Sequence, residues 1–243
     1  MTQSSSAQLH PWGLTPEEAI ALQRELAGHI VLEDRLGEVH FVAGVDMAIN
    51  EENAMARAAV VLLAYPSLEL IEQHIYEEPV RMPYIPGLLS FREAPCVLGA
   101  FKQLRQWADL VMVDGQGIAH PRRMGIASHL GLWLQMPTIG CAKSILTGRY
   151  DKEALSEEAG SWVPLTYKKE VIGAVVRTRT RVNPMIISPG HLISLETSIR
   201  YVLECGRGYK LPEPTRLADK LSKDNAWREP DEGEGQPGLW DNP

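Results

Sequence analysis

Two aspartates stand where apolar runs stop. Asp46 interrupts Phe41-Val42-Ala43-Gly44-Val45, and Asp114 terminates Leu110-Val111-Met112-Val113. A carboxylate in such a place is costly to bury unless it is paired or holds a cation. Either acid alone reads equally well as a strand-end Asp capping a turn, but two of them on strands expected to be neighbours do not. Paired carboxylates that accept Mg²⁺, keep waters on it and leave positions for phosphate oxygens are what metal-assisted phosphodiester cleavage requires. Competing chemistries fit less well. Gly115-Gln116-Gly117 follows an apolar run but lacks the third glycine of a dinucleotide turn, and Pro121 interrupts the helix start such a turn needs. Cys141 lies in an apolar run with no His partner placed by sequence, so it reads as core. Met124, Leu132, Trp133 and Met136, at helical spacing, read as packing.

The elements that must carry these acids follow from periodicity. Thr15-Pro16-Glu17-Glu18 predicts a helix start, with Thr15 as N-cap and Glu18 closing a capping box, and the helix runs towards Leu26. Three β-like runs follow, Val42–Ala48, Ala58–Ala64 and Leu70–Tyr76, joined by connections short enough to imply antiparallel neighbours. A helix over Ala94–Trp107, the strand Leu110–Val113, a helix over Met124–Trp133 and the strand Thr138–Ala142 then alternate, which implies parallel pairing. Val171–Arg177 and Met185–Ile187 read as further strands and Ser194–Cys205 as a closing helix. Three antiparallel strands followed by β-α-β units predict an α/β fold: a single RNase-H-like domain with a mixed central sheet flanked by helices.

Composition bounds the rest. With 243 residues, 44% hydrophobic and 23% charged, the chain has the profile of a soluble globular protein. No apolar run approaches the roughly 20 residues a bilayer needs, and Met1 to Gln8 shows no signal-peptide pattern. Three widely spaced cysteines, Cys96, Cys141 and Cys205, argue against a disulfide framework and fit a reducing cytoplasm. A net charge of −7 looks unsuited to phosphates, yet −4 of it lies beyond Ala226. That acidic, Gly- and Pro-rich stretch reads as disordered, so the expected organisation is a flexible N-terminus over 1–14, a domain over 15–225 and a tail over 226–243. Local positive charge is expected from Arg122-Arg123, from Lys168-Lys169, and from Arg177, Arg179 and Arg181, which on an extended chain share one face.

Longer motifs sharpen the reading. Gly44-Val45-Asp46, the run from Pro83-Tyr84-Ile85-Pro86-Gly87 through Leu89 to Arg92-Glu93, and Val113-Asp114-Gly115-Gln116-Gly117-Ile118-Ala119-His120-Pro121-Arg122-Arg123 come first. Gly140-Cys141-Ala142-Lys143-Ser144, Ser188-Pro189-Gly190-His191 and Leu211-Pro212-Glu213-Pro214-Thr215-Arg216-Leu217-Ala218-Asp219 follow. In this order they resemble the endonuclease V family, the deoxyinosine-directed repair endonucleases, over about residues 15 to 222.

The resemblance implies that Asp46 and Asp114 bind a catalytic metal, Mg²⁺ with Mn²⁺ as a substitute, and that Glu93 is a third active-site carboxylate. It places Lys143 near the scissile phosphate, while Asp219 falls where members carry His or Asp and is either metal-facing or merely helical. Pro83, Tyr84, Ile85 and Pro86, stiffened by two prolines, imply a wedge in the duplex. Gly87, Leu89, Gly115, Gly117, His120 and Arg122 complete the implied substrate contacts, the glycines letting backbone approach an extruded base; His191 reads as structural. The implied activity is hydrolysis of the second phosphodiester 3′ to a deaminated base in DNA, leaving 3′-hydroxyl and 5′-phosphate ends, by a monomer that touches no membrane. Inosine-containing RNA or structured nucleic acid is the alternative substrate, and a catalytically silent lesion-binding module the alternative class.

Overall fold

The computed structural model describes residues 9–224. Helix α1 (Pro16–Ala27) starts on the predicted capping box: Glu18 N donates to Thr15 Oγ1, and Thr15 N donates to the Glu18 carboxylate. Strands β1 (Phe41–Asn50), β2 (Met55–Ala64) and β3 (Leu70–Pro79) form the predicted antiparallel meander. After it come α2 (Leu89–Phe101), β4 (Leu110–Val113), α3 (Ile126–Leu134), β5 (Thr138–Ala142), β6 (Trp162–Tyr167), β7 (Glu170–Val176), β8 (Met185–His191), α4 (Leu195–Glu204) and α5 (Glu213–Lys223). One eight-stranded sheet takes the order β3-β2-β1-β4-β5-β8-β7-β6. The pairs β1–β4 and β4–β5 are parallel and the remaining pairs antiparallel, so the mixed α/β sheet expected of an RNase-H-like fold is present.

Strand alternation builds the two faces. Ala43, Val45, Val111 and Val113 pack with Ala94, Val97, Ala127 and Leu130 of α2 and α3. Val42, Met112, Ile139 and Cys141 face the opposite way, with Ile199, Val202 and Leu217 of α4 and α5. A satellite cluster joins α1 to Met82, Leu88, Phe91 and Met124. The three cysteines are free and buried. Among the described residues no helix is long and apolar enough to cross a membrane.

Where the architecture departs from the sequence reading, a local cause is visible. Helix α2 begins and ends about one and a half turns earlier than the predicted Ala94–Trp107. It follows directly on the left-handed Gly87, φ 81°, and tolerates Pro95 internally at the loss of one backbone hydrogen bond. Strand β8 continues through Pro189-Gly190, which the sequence marks as a turn, because a register shift opposite Thr138/Ile139 absorbs the extra residue. Strand β6 was not anticipated; it alternates exposed and buried residues but carries Pro164, which an edge strand accepts. Helix α5 was not among the predicted elements, although a helical position was one of the two readings of Asp219. Its buried residues are Pro214, Thr215, Ala218 and Ser222, small or polar side chains that leave no apolar period to read.

The N-terminal boundary also moves. Residues 1–8 and the acidic tail over 226–243 lie outside the described residues, but Leu9 to Leu14 pack on the domain instead of hanging free. His10 is buried, stacked on His129 with a ring separation of 4.9 Å, and Trp12 stacks on Trp133 at 5.0 Å.

Candidate active site

Parallel pairing runs β1, β4 and β5 the same way, and three charged side chains lie where the β1–β4 pairing stops: Asp46 in the middle of β1, Asp114 just past β4 and Lys143 just past β5. Val45 pairs with Val113 and Val113 with Gly140, so Asp46, Asp114 and Lys143 emerge side by side. Asp114 N donates to Val45 O at 3.0 Å, which fixes the backbone from which its carboxylate leaves. On β1, alternation turns Val42, Gly44 and Asp46 towards α5. A Cβ on Gly44 would lie 2.0 Å from Pro214 O, so only glycine lets the start of α5 cross this close. That close approach carries Asp219 and Ser222, three residues apart on one helix face, onto the acids.

The result is a trio: one oxygen from each of Asp46, Asp114 and Asp219, all within 4.8 Å of one another. Lys143 Nζ lies 2.5 Å from Asp114 Oδ2 and 2.6 Å from Asp219 Oδ1, and Lys223 Nζ is also 2.6 Å from Asp219 Oδ1. Ser222 Oγ donates to Asp46 Oδ2 at 2.5 Å. Burial, reinforced by Asp114 and Asp219, pushes the Asp46 carboxyl up to about 6 despite that hydrogen bond. Asp219 is partly buried, which works against its charge, but the two lysines hold it below the ordinary carboxylate range. Burial likewise opposes the Lys143 charge, and Asp114 and Asp219 overcome it, holding the ammonium above the ordinary lysine range.

Glu93, half-buried on the second turn of α2, stands outside the trio. Burial, and then the charge of Asp46, push it up to about 8. Asp114 Oδ2 is buried and touches Lys143 without hydrogen-bonding geometry. Clustered carboxylate oxygens, with two carboxyls pushed upward by burial and by one another, are the donor chemistry of a divalent-cation site. The donor set therefore fits a metal ion held by Asp46, Asp114 and Asp219.

The loop ahead of α2 is built to project. Tyr84 is 64% exposed, whereas Ile85 packs partly against the α1 cluster, so of the two side chains between the prolines only the ring projects. Behind it, Gly87 O accepts from Gln23 Nε2 at 3.1 Å, His120 Nε2 at 3.1 Å and Arg122 Nη2 at 2.8 Å. Gln23 is fully buried; its Nε2 also donates to Met124 O at 2.7 Å and its Oε1 accepts from Arg122 Nε. His120 Nδ1 accepts from Arg122 N, and burial, then the Arg122 charge, push the imidazole down to about 4, so it holds this clamp as a neutral ring. Sequence reading overlooked Gln23. Its signal was a polar residue on the apolar stripe Ala19, Gln23, Leu26.

Other sequence expectations resolve differently. Gly115 and Gly117 are pressed against protein: a Cβ would lie 2.5 Å from Ile126 Cγ2 and 2.2 Å from Pro189 O respectively. Arg122 turns inward to the clamp, and Arg123 pairs with Glu170 at 2.6 Å, so neither stands free. Arg177, Arg179 and Arg181 do not share one extended face, because the chain turns after Val176. Arg177 is tied to Ser156 O and Val182 O, and Arg181 is left-handed and faces Glu157. His191 accepts from Val31 N at 3.2 Å, a structural role on β8 and not on a loop.

Acids in the middle of β1 and just past the end of β4, met by a helix that closes over them, define an RNase-H-like nuclease. Residues 24–220 match the endonuclease V family, and the chain belongs to that family. It is 54% identical over 220 residues to Endonuclease V of Gloeobacter violaceus, covering 90% of this chain and 89% of that protein. The crystal structure of the Streptomyces avermitilis Endonuclease V superposes with a TM-score of 0.82 at 38% identity, over 87% of this chain and 92% of that one. Endonuclease V of Ciona intestinalis, solved in complex with a 24mer DNA containing an inosine followed by a ribo-adenosine, is 28% identical with a TM-score of 0.74. That match covers 85% of this chain and 95% of the Ciona chain.

Proposed function

We propose that this endonuclease acts as a monomer on DNA containing deaminated bases, chiefly deoxyinosine, and hydrolyses the second phosphodiester 3′ to the lesion with Mg²⁺. The observation that carries the reading is the trio of carboxylate oxygens within 4.8 Å, brought together from β1, the end of β4 and α5. When bound there, Mg²⁺, or Mn²⁺ in its place, supplies Lewis-acid charge to a phosphate oxygen. Asp46 and Asp114 would hold it, with Asp219 as the third oxygen donor. Glu93 is the group that would accept a hydrogen bond from the attacking water. Lys143 sets a fixed positive charge where negative charge develops on the phosphate. Tyr84 fills the gap left when the damaged base is drawn from the stack, with Pro83, Ile85 and Pro86 holding it rigid. Leu89, exposed at the start of α2, offers apolar surface to the base, His120 and Arg122 hold Gly87 in place behind it, and Gly115 and Gly117 set the backbone of the loop that carries Asp114. The inosine-bearing oligonucleotide held by the Ciona relative supports the lesion class.

A nicking assay tests this. A duplex with one hypoxanthine should be cut once, two bonds to the 3′ side, in Mg²⁺ but not in EDTA. Ca²⁺, with longer and looser coordination, should support binding and little cleavage. An equal rate on undamaged duplex, or no nick in Mg²⁺, would refute the reading, and faster cutting of an inosine-containing RNA would move the substrate class.

A further inference from the structure

The hairpin between β6 and β7 turns on two lysines in the left-handed region, Lys168 at φ 51° and Lys169 at φ 69°, with Tyr167 and Glu170 paired across its neck. Two-residue hairpins of this hand are best made by Asn-Gly or Gly-Gly, because a β-carbon at positive φ is strained. Here both places hold long cations. A third left-handed side chain, Arg123 at φ 62°, reaches in from the loop that follows Asp114. Its guanidinium carbon lies 5.1 Å from the centroid of the Tyr167 ring, and Lys168 Nζ lies 5.3 Å from the same centroid.

Acids near the hairpin are already engaged. Glu170 pairs with Arg123, and Asp151 Oδ1 accepts from the backbone of Glu153 and Ala154. Among the described residues no carboxylate lies within ion-pair distance of Arg149, Lys168 or Lys169, and all three are exposed. Arg149 pairs its backbone with Thr166, and Gly148, Arg149, Thr166, Tyr167 and Lys168 line a groove of about 400 Å³. The hairpin is also joined to the projecting loop: Arg123 Nη1 donates to His120 O, and His120 holds Gly87 O.

We propose that this hairpin is a second nucleic-acid contact, in which Arg149, Lys168 and Lys169 grip the phosphodiester backbone of the duplex on the side of the Tyr84 loop. The contact adds salt-dependent affinity without reading sequence, and holds the duplex while Tyr84 searches it. It rests on the reading of the chain as a duplex-directed nuclease. Strain in the turn gives the proposal its edge, since residues kept against the turn's own preference point to a use outside the fold.

The Lys168→Asn/Lys169→Gly double variant of the full chain separates fold from contact. It should be at least as thermally stable as wild type, because Asn-Gly suits the turn. Its affinity for an undamaged duplex of about 25 base pairs should fall about tenfold at low salt. The slope of log K against log salt should flatten by about 2, since each phosphate that a cation neutralises contributes roughly 0.9. Single-turnover nicking at saturating enzyme should not change. A Lys102→Gln/Arg105→Gln control removes the same charge at the far end of α2 and should leave the slope alone. Wild-type affinity and slope in the hairpin variant, or equal losses in the control, would overturn the proposal. Because binding is read on undamaged duplex, a wrong lesion assignment would show separately, in the nicking of wild type.

Discussion

Asp46 holds an unfavourable position in the metal-free protein. Its carboxyl titrates near 6 in the folded state, above the ordinary aspartate value it regains on unfolding. Between those values the folded chain binds more protons, so stability is greatest at low pH and declines as pH rises through about 6. Asp46→Asn removes that opposition. It should abolish nicking yet raise the thermal midpoint in EDTA at pH 8 by roughly 2–4 °C, the shift that about 1 kcal/mol produces at this chain length. A midpoint below wild type, or a retained nick, would contradict this account of the site. Tyr84 makes a simpler case, being 64% exposed and so contributing little to the core. Tyr84→Ala should leave the thermal midpoint and metal affinity unchanged and cost roughly ten- to a hundredfold in affinity for hypoxanthine-containing duplex, the worth of one stacked aromatic. A smaller loss is expected on single strands, where less stacking has to be replaced.

Helix α1 acts at a distance from the chemistry. Through Gln23 it clamps Gly87 O and Met124 O, and so sets the angle at which the Tyr84 loop leaves α2. Gln23→Leu keeps the volume but strips both carbonyls of a donor and Arg122 Nε of its acceptor, which should lower the thermal midpoint. The diagnostic readout lies elsewhere: affinity for hypoxanthine-containing duplex should fall about tenfold while metal affinity holds. If the clamp works by aiming Tyr84, the losses of Gln23→Leu and Tyr84→Ala should not add. Additive losses would reduce Gln23 to a packing residue. Helix α5 has the parallel task on the other face, where Gly44 admits Pro214 and Ser222 reaches Asp46.

Across the whole molecule, opposing titrations meet. His10 and His129 join the N-terminal segment to α3 through a 2.7 Å contact between their Nε2 atoms, and Trp133 Nε1 donates to the same His10 nitrogen. With His10 Nδ1 donating to Pro11 O, its Nε2 acts as acceptor for both neighbours, an arrangement that requires a neutral His10. Burial lowers both values, that of His129 well below the ordinary histidine range. The unfolded chain therefore takes up protons that the folded one refuses, and this contribution, intact above about 6.5, is lost as pH falls below it. Asp46 and Glu93 pull the other way. The difference in midpoint between wild type and His10→Gln cancels the acids, and it should shrink from pH 7.5 to pH 5. A constant difference would mean that His10 does not titrate on unfolding.

Much of this was legible beforehand because it is local. Apolar runs with short polar breaks specify β1 to β5, and the same runs mark Asp46 and Asp114 as acids out of place. Two prolines around Tyr84 and Ile85 announce a projecting apolar tip; in the structure Tyr84 is exposed, while Ile85 packs against the α1 cluster. What sequence left open depends on partners far along the chain. Whether Asp219 faces the acids turns on α5 crossing β1 at Gly44, and nothing within α5 itself, with its small polar buried face, discloses that crossing. Gln23 and Arg122 are polar residues whose meaning comes only from the carbonyl they share, 64 and 35 residues away from Gly87 respectively. The arginines after Val176 looked like a basic face until turns and tertiary acceptors claimed Arg177 and Arg181. Periodicity fixes which face a side chain leaves from; only packing of distant segments decides what it meets there.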